Sequence, residues 1–211
     1  MGLSNELRIL ETYREKHLQL ATKVIEADNG NIFPVDLLII SSLNRSMCLL
    51  RGFLDLIKSR NFICAAPLVR IQLDNGLRLF AGTLVNDPHQ FTMKILEGIP
   101  VKNQEDNTGN KMKDFYLVEK LSGLYPWVKE VYDHASGYVH LSEKHFWNAI
   151  NLIDTETGKF SMKITDEDEF VSEQHYEQAV ISFRKATDIV FNLVDGWIFS
   201  KNNPGKRRSI S

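Results

Sequence analysis

Apolar residues recur at steps of three and four along three segments before residue 90, which predicts three long amphipathic helices. The first helix is expected from Leu3 to about Asp28. The second is expected to begin at Pro34, since proline suits the first position of a helix, and it is apolar around most of its circumference. Pro67 fits the first turn of the third helix, which should end just before Pro88.

The apolar spacing changes to two between residues 150 and 164, where apolar and polar residues alternate on both sides of a polar turn. The turn contains Gly158, and glycine tolerates the positive φ that tight turns require. This pattern predicts a β-hairpin. We expect the hairpin to pack on the helices, because an isolated hairpin is only marginally stable.

Helical spacing also predicts a pair of helices at 111–121 and 126–140, and one long helix from about Ser172. The predicted fold class is therefore mainly α, an antiparallel helical bundle with a small β-hairpin inserted before the last long helix. We expect residues 1–201 to form a single helical domain and residues 202–211 to form a disordered basic tail.

The composition is that of a globular chain, with 43% apolar residues and a net charge of −2 from 25 basic and 27 acidic residues. This balance excludes a broad basic surface but permits a local basic patch. The N-terminus lacks a signal-peptide pattern and no uninterrupted apolar run approaches about 20 residues, so we expect a cytoplasmic protein without a membrane partner. Cys48 and Cys64 lie in apolar stretches, and we expect both to be buried, reduced thiols.

Cofactor and metal motifs are sparse in the sequence. Its glycines are scattered singly, so neither a P-loop nor a dinucleotide-binding fingerprint is present. His134, His140 and His145 are close in sequence, but their spacings of six and five do not place them on one helical face. We therefore expect no cofactor and no metal site.

Two polar rows at four-residue steps carry the candidate chemistry. The row on the third helix is Arg70, Asp74 and Arg78. The row on the helix at 126–140 is Tyr132, Ser136 and His140. If the two helices are neighbours, these side chains converge in a pocket that binds a phosphate or a base, or in which His140 acts as a general acid–base. The alternative is a hydrogen-bonded polar seam that fixes the register of the helices, and the spacing leaves both interpretations open.

The segments 67–76 and 132–142, which contain these rows, resemble a group of uncharacterised bacterial proteins of the HEPN-like helical superfamily. The resemblance covers about the middle half of the chain. It implies a helical bundle, often dimeric, in a superfamily with many metal-independent ribonucleases of toxin, antiphage or RNA-processing systems. The catalytic signature of these enzymes is Arg followed, after four to six residues, by His. Neither His140 nor Arg70 has such a partner here, which favours a degenerate, binding or partner role.

The function that the resemblance implies is that of a ligand- or RNA-binding protein of a stress or phage-defence module. Its expected partner is RNA or a nucleotide, and its expected assembly is a homodimer. Arg70 would contact phosphate, and His140 would act with it if cleavage occurs. The expected binding residues are Asp74, Arg78, Tyr132 and Ser136. The alternative is a non-enzymatic helical interaction protein in which the same cluster is structural, and whether the chain is an enzyme stays open.

Overall fold

The chain is helical over most of its length in a computed structural model that describes residues 2–140, 142–154 and 156–205. These residues form eight α-helices and one antiparallel pair of strands, which confirms the predicted mainly α fold with a hairpin before the last long helix. The helices are α1 (Leu3–Glu26), α2 (Pro34–Lys58), α3 (Phe62–Ala81), α4 (Pro88–Leu96), α5 (Asp114–Ser122), α6 (Trp127–Ser136), α7 (Glu143–Ala149) and α8 (Glu173–Asn202). The strands are β1 (Ile150–Asp154) and β2 (Lys159–Met162).

Four long helices, α1, α2, α3 and α8, pack against one another and enclose the hydrophobic core. At its centre the fully buried rings of Phe53 and Phe183 stack with their centroids 4.3 Å apart. Helices α5 and α6 pack on α3, and α4 packs on α2. Helix α3 therefore contacts the bundle on one side and the α5–α6 pair on another.

Helix α2 is the one helix in the described part of the chain that is long and apolar enough to cross a membrane by length and composition alone. The core helix of a bundle meets the same criterion. Here α2 packs against α1, α3, α4 and α8.

A chain of polar side chains crosses the core. His17 Nδ1 lies 2.7 Å from the carbonyl oxygen of Tyr13, and His17 Nε2 lies 2.7 Å from Ser46 Oγ. Gln72 Nε2 donates to Ser46 Oγ at 2.6 Å and to Thr187 Oγ1 at 3.0 Å. Because a carbonyl oxygen only accepts, Nδ1 of His17 carries the proton and Nε2 accepts from Ser46. Burial lowers the pKa of His17, so its imidazole is held neutral.

A buried ion pair ties the end of α8 to the start of α2. The ammonium group of Lys201 donates to Asp36 Oδ2 at 3.0 Å and to the carbonyl of Val24 at 2.8 Å, and both charged side chains are almost fully buried. Asp36 also accepts from the backbone N–H of Phe33 and from the indole N–H of Trp197, each at 2.7 Å. These bonds satisfy both charges and fix the Trp197 ring.

Helix α3 begins earlier than the sequence predicts. It begins at Phe62, so Pro67 lies inside the helix rather than in its first turn. The start is set by Asn61, whose side-chain oxygen accepts from the backbone N–H of Cys64 at 3.1 Å, and by Arg60, whose φ of +59° separates α3 from α2. The short helices α4 and α7 have too few turns to produce a recognisable apolar period.

The hairpin has the predicted strands, with Ile150 opposite Met162 and Leu152 opposite Phe160, and Gly158 has a φ of +67°. The expectation that its apolar side chains pack on the helices is wrong for β2, since Phe160 is 58% exposed and Met162 is 64% exposed. The long helices already bury their apolar faces against one another, so the bundle does not need the hairpin as a cover.

Both cysteines are free and exposed, so the expectation that they are buried is wrong. Buried residues lie close to both cysteines in sequence: Leu50 is two residues after Cys48, and Ala65 directly follows Cys64. The buried stripe of each helix is narrower than its apolar composition suggests, and the thiols lie outside it.

The predicted domain boundary at residue 201 lies next to the end of α8, whose last residue is Asn202. Of the predicted tail at 202–211, residues 206–211 lie outside the described residues. Its disorder stays a prediction.

Candidate functional site

Four of the six residues in the two polar rows meet on the side of α3 that contacts α5 and α6. Arg70, Asp74 and Arg78 lie on successive turns of α3, and Arg78 Nη2 donates to Asp74 Oδ1 at 2.6 Å. Helix α6 packs on α3 and brings Tyr132 to Arg70. The guanidinium carbon of Arg70 lies 3.7 Å from the centroid of the Tyr132 ring, and Arg70 also donates to the Tyr132 hydroxyl.

Two further residues, from other helices, complete this group. Asp114, at the start of α5, accepts from Arg78 Nη2 at 2.5 Å and from Arg70 Nη2 at 3.4 Å. Arg45 of α2 lies with Nη1 3.5 Å from Asp74 Oδ2. Neither residue belongs to a polar row, because the residue spacing along one helix cannot predict which residues of other helices will contact it. We refer to Arg45, Arg70, Asp74, Arg78, Asp114 and Tyr132 as the arginine cluster.

The arginine cluster carries more positive than negative charge. Three guanidinium groups meet two carboxylates, which leaves one positive charge in excess. The Arg70 side chain is 15% exposed, whereas that of Arg45 is 46% exposed, so the excess charge is accessible to solvent at Arg45. Arg78 Nη1 is buried and has no hydrogen-bond partner in the part of the chain that the structure describes. Arg78 therefore retains one buried N–H donor group that no described residue uses.

The shifts in pKa favour the charged forms of Arg78 and Asp114. Burial acts to lower the pKa of Arg78, but the carboxylates of Asp74 and Asp114 outweigh it and raise the value. Burial acts to raise the pKa of Asp114, and the hydrogen bond and charge of Arg78, with those of Arg70, outweigh it and lower the value. Burial raises the pKa of the Tyr132 hydroxyl, which therefore remains a neutral donor and acceptor.

Ser136 and His140, the other two residues of the rows, do not join the arginine cluster. The hydroxyl of Ser136 donates to the carbonyl of Tyr132 at 2.7 Å, within its own helix. Helix α6 ends at Ser136, and His140 lies exposed in the segment beyond it. The predicted helix at 126–140 is therefore too long by one turn, and the four-residue row stops before His140.

The early end of α6 has a local cause. A continuing helix would bond the carbonyl of His134 to the backbone N–H of Tyr138. Instead this carbonyl accepts from Lys144 Nζ at 2.6 Å, and the Tyr138 N–H donates to the carbonyl of Ala135 at 3.1 Å. The Lys144 side chain packs so closely on Gly137 that a Cβ at residue 137 would lie 3.1 Å from Lys144 Cε. A cation at the last carbonyls is favourable, because a helix carries partial negative charge there.

The neighbouring histidines do not gather around a common point. His134 Nδ1 lies 3.1 Å from Lys144 Nζ, and the rings of His134 and His145 lie against Tyr138. Within residues 2–140, 142–154 and 156–205, no three His, Cys, Asp or Glu side chains are arranged to hold a metal ion.

Comparison with known proteins does not assign a family, since no protein-family model, no curated protein and no solved structure matches this chain significantly. A functional interpretation therefore depends on the residues themselves, and above all on the charge and accessibility of the arginine cluster.

Proposed function

We propose that this chain is a HEPN-like helical protein that binds RNA or a nucleotide through phosphate at the arginine cluster. The observation that carries the proposal is the excess of guanidinium groups over carboxylates, combined with the exposed Arg45 and the unpaired Nη1 of Arg78. Guanidinium groups bind phosphate through parallel N–H donors, and a buried donor without a partner is costly to leave unsatisfied.

Each member of the cluster has a role in this proposal. Asp74 and Asp114 hold the arginines in fixed orientations, which lowers the entropy lost on binding. Arg45 is the first group that a phosphate meets, because its side chain is the most exposed of the three arginines. Tyr132 lies beside Arg70 and offers a hydroxyl to a ribose or a base.

The proposal is one of binding without cleavage. General acid–base catalysis needs a side chain within hydrogen-bond reach of the reacting proton, and His140 lies beyond the end of α6 with no bond to the cluster among the described residues. The HEPN resemblance supports a role in a stress or phage-defence module, and it is the sole support for that context.

The test compares the RNA affinities of two variants of α2, one at an arginine inside the arginine cluster and one at an arginine outside it. Arg45→Gln removes the exposed guanidinium of the cluster, whereas Arg51→Gln removes one whose partner is Asp55, 3.8 Å away in a fully solvated pair. Fluorescence anisotropy with a labelled single-stranded RNA is measured over a series of salt concentrations. We expect Arg45→Gln to weaken binding and to reduce the slope of log K against log salt by about 0.7, the value for one lost phosphate contact. Arg51→Gln should not change either quantity.

A second candidate function, a structural seam in a helical interaction protein, is favoured by a different observation. Each carboxylate of the cluster already contacts at least two guanidinium groups, as expected for an ion-pair network that locks helices together. In that case wild-type protein and both variants bind RNA equally weakly. Absence of any RNA binding, or equal loss in Arg45→Gln and Arg51→Gln, would rule out the first proposal.

A further inference from the structure

A cavity of about 510 Å³ lies away from the arginine cluster, between α2, α4, α5, α8 and the end of α3. Its walls are mostly apolar and include Leu38, Phe80, Phe91 and Leu193. The volume is within the range of small-molecule sites, which are concave, mostly apolar and equipped with few polar groups.

One residue of the cavity lining is a glycine of α8. Gly196 lies inside the long helix α8, where glycine is unfavourable, and a Cβ at this position would meet no atom within 4 Å. Leu193, Gly196, Trp197 and Ser200 follow at steps of three, one and three, so they share the helix face that lines the cavity. A larger residue in place of Gly196 would project into the cavity.

The cavity wall is also held rigidly. Trp197 donates from its indole N–H to Asp36 at 2.7 Å, and Asp36 is held in turn by the buried ammonium group of Lys201. The aromatic wall is thereby fixed before any ligand enters, which reduces the cost of ordering on binding.

The polar groups of the cavity indicate the ligand's chemistry. The hydroxyls of Thr83, Thr92 and Ser200 donate to carbonyls of their own chain segments, at 2.7, 2.9 and 3.0 Å, so they offer no free hydrogen to a ligand. Lys120 is the one charged residue among the described residues that line the cavity, and it is exposed, which puts it at the mouth. Its ammonium group lies 5.4 Å from the Tyr116 ring centroid and has no carboxylate partner in the described ranges.

We propose that this cavity binds a small amphipathic monocarboxylate, with its apolar tail against Phe80, Phe91 and Gly196 and its carboxylate at Lys120. An apolar interior favours an aliphatic or aromatic tail. A single cation at the mouth suits one negative charge, and no acidic residue lies among the described lining residues to oppose it. This site is separate from the one proposed for phosphate.

The test is isothermal titration calorimetry of the full chain with decanoate, decanol and decyltrimethylammonium, the two ions below their critical micelle concentrations and decanol below its solubility limit. We expect decanoate to bind most tightly. Lys120→Glu should weaken decanoate binding roughly tenfold, from loss and reversal of one exposed ion pair, and should leave decanol binding unchanged. The matched control is Lys185→Glu, which alters a lysine placed 5.5 Å from the Trp127 ring and outside the cavity lining, and which should leave the affinity for decanoate unchanged.

Gly196→Leu tests the location of the site and should abolish binding of both decanoate and decanol, with folding checked by circular dichroism. If that variant does not fold, the Lys120→Glu comparison still decides the proposal, because the Lys120 side chain is exposed. Four results would overturn it: no decanoate binding to wild-type protein, equal affinity for the three ligands, the same decanoate affinity in Lys120→Glu as in Lys185→Glu, or unchanged decanoate binding in a folded Gly196→Leu variant.

Discussion

Replacing Asp74 with asparagine tests how much the arginine cluster contributes to the stability of the bundle. The Asp74 carboxylate lies 2.6 Å from Arg78, 3.5 Å from Arg45 and 4.0 Å from Arg70. Asparagine keeps the shape of the side chain and removes its charge. The variant therefore leaves three guanidinium groups facing a single carboxylate, that of Asp114.

The size of the effect follows from the burial of Asp74, whose side chain is 20% exposed. Exposed ion pairs contribute about 0–1 kcal/mol, and breaking a fully buried pair from one side costs about 3–5 kcal/mol. Asp114 still pairs with Arg78 at 2.5 Å in the variant, which limits the loss. We expect the free energy of unfolding to fall by about 2 kcal/mol, between those two limits.

Urea denaturation followed by far-ultraviolet circular dichroism measures this loss. The matched control is Asp55→Asn, since Asp55 pairs with Arg51 at 3.8 Å and the two side chains are 70% and 88% exposed. The control should show no measurable change. If the cluster also binds phosphate, inorganic phosphate at constant ionic strength should stabilise Asp74→Asn more than wild-type protein, because it replaces the missing negative charge. A loss no larger than that of Asp55→Asn would refute this estimate.

Four further predictions concern the core and the assembly. Burial lowers the pKa of His17 below 6.5, so the unfolded chain binds a proton that the folded chain does not as pH falls below that value. The urea midpoint should therefore decrease on acidification, and it should decrease less in His17→Gln. Gly196→Ala should raise the free energy of unfolding by about 0.5–1 kcal/mol. Gly76→Ala should raise the free energy of unfolding by less than Gly196→Ala does, because the Cβ at residue 76 would lie 3.3 Å from a core side chain. Lys201→Met should cost about 3–5 kcal/mol in urea denaturation by leaving Asp36 buried and unpaired, and adding Asp36→Asn should recover part of that loss. Light scattering should give about twice the chain mass of 24.2 kDa if the expected homodimer forms, and a mass near 24.2 kDa would contradict it.

The fold was largely predictable because its main signals are local. Long apolar stripes reveal α1, α2 and α8, and proline or a capping residue marks where several helices begin. The hairpin was visible for the same reason, since its period of two and Gly158 act within a few residues. The sequence pattern makes α6 too long because it does not show the contact of Lys144, eight residues after Ser136. The Lys144 ammonium group donates to the carbonyl of His134, which would otherwise accept the next hydrogen bond of the helix.

The candidate site was only half predictable, because its charged side chains come from three helices and its tyrosine from a fourth. The four-residue spacing of Arg70, Asp74 and Arg78 predicts that these three side chains share one face of α3. It could not report Arg45 or Asp114, whose partners are set by how α2 and α5 pack on α3. The buried row of hydrogen-bonded side chains that begins at His17 could not be predicted from the sequence for a similar reason. Each of its four helices contributes a single polar side chain, and one polar residue does not disturb the apolar period of a helix.

The two polar networks on α3 differ in a way that bears on function. The network of Gln72 is closed to solvent and contains no charge, and its one unpaired atom among the described residues is the buried acceptor Gln72 Oε1. A network of this kind fixes helix register and gains nothing from a ligand. The arginine cluster, on another face of α3, differs because it is exposed to solvent at Arg45 and carries excess positive charge. Helix register does not require that excess, because two arginines would neutralise two carboxylates. The third guanidinium is therefore the part of the cluster that a purely structural seam leaves unexplained, and it is the group that the proposed phosphate site would use.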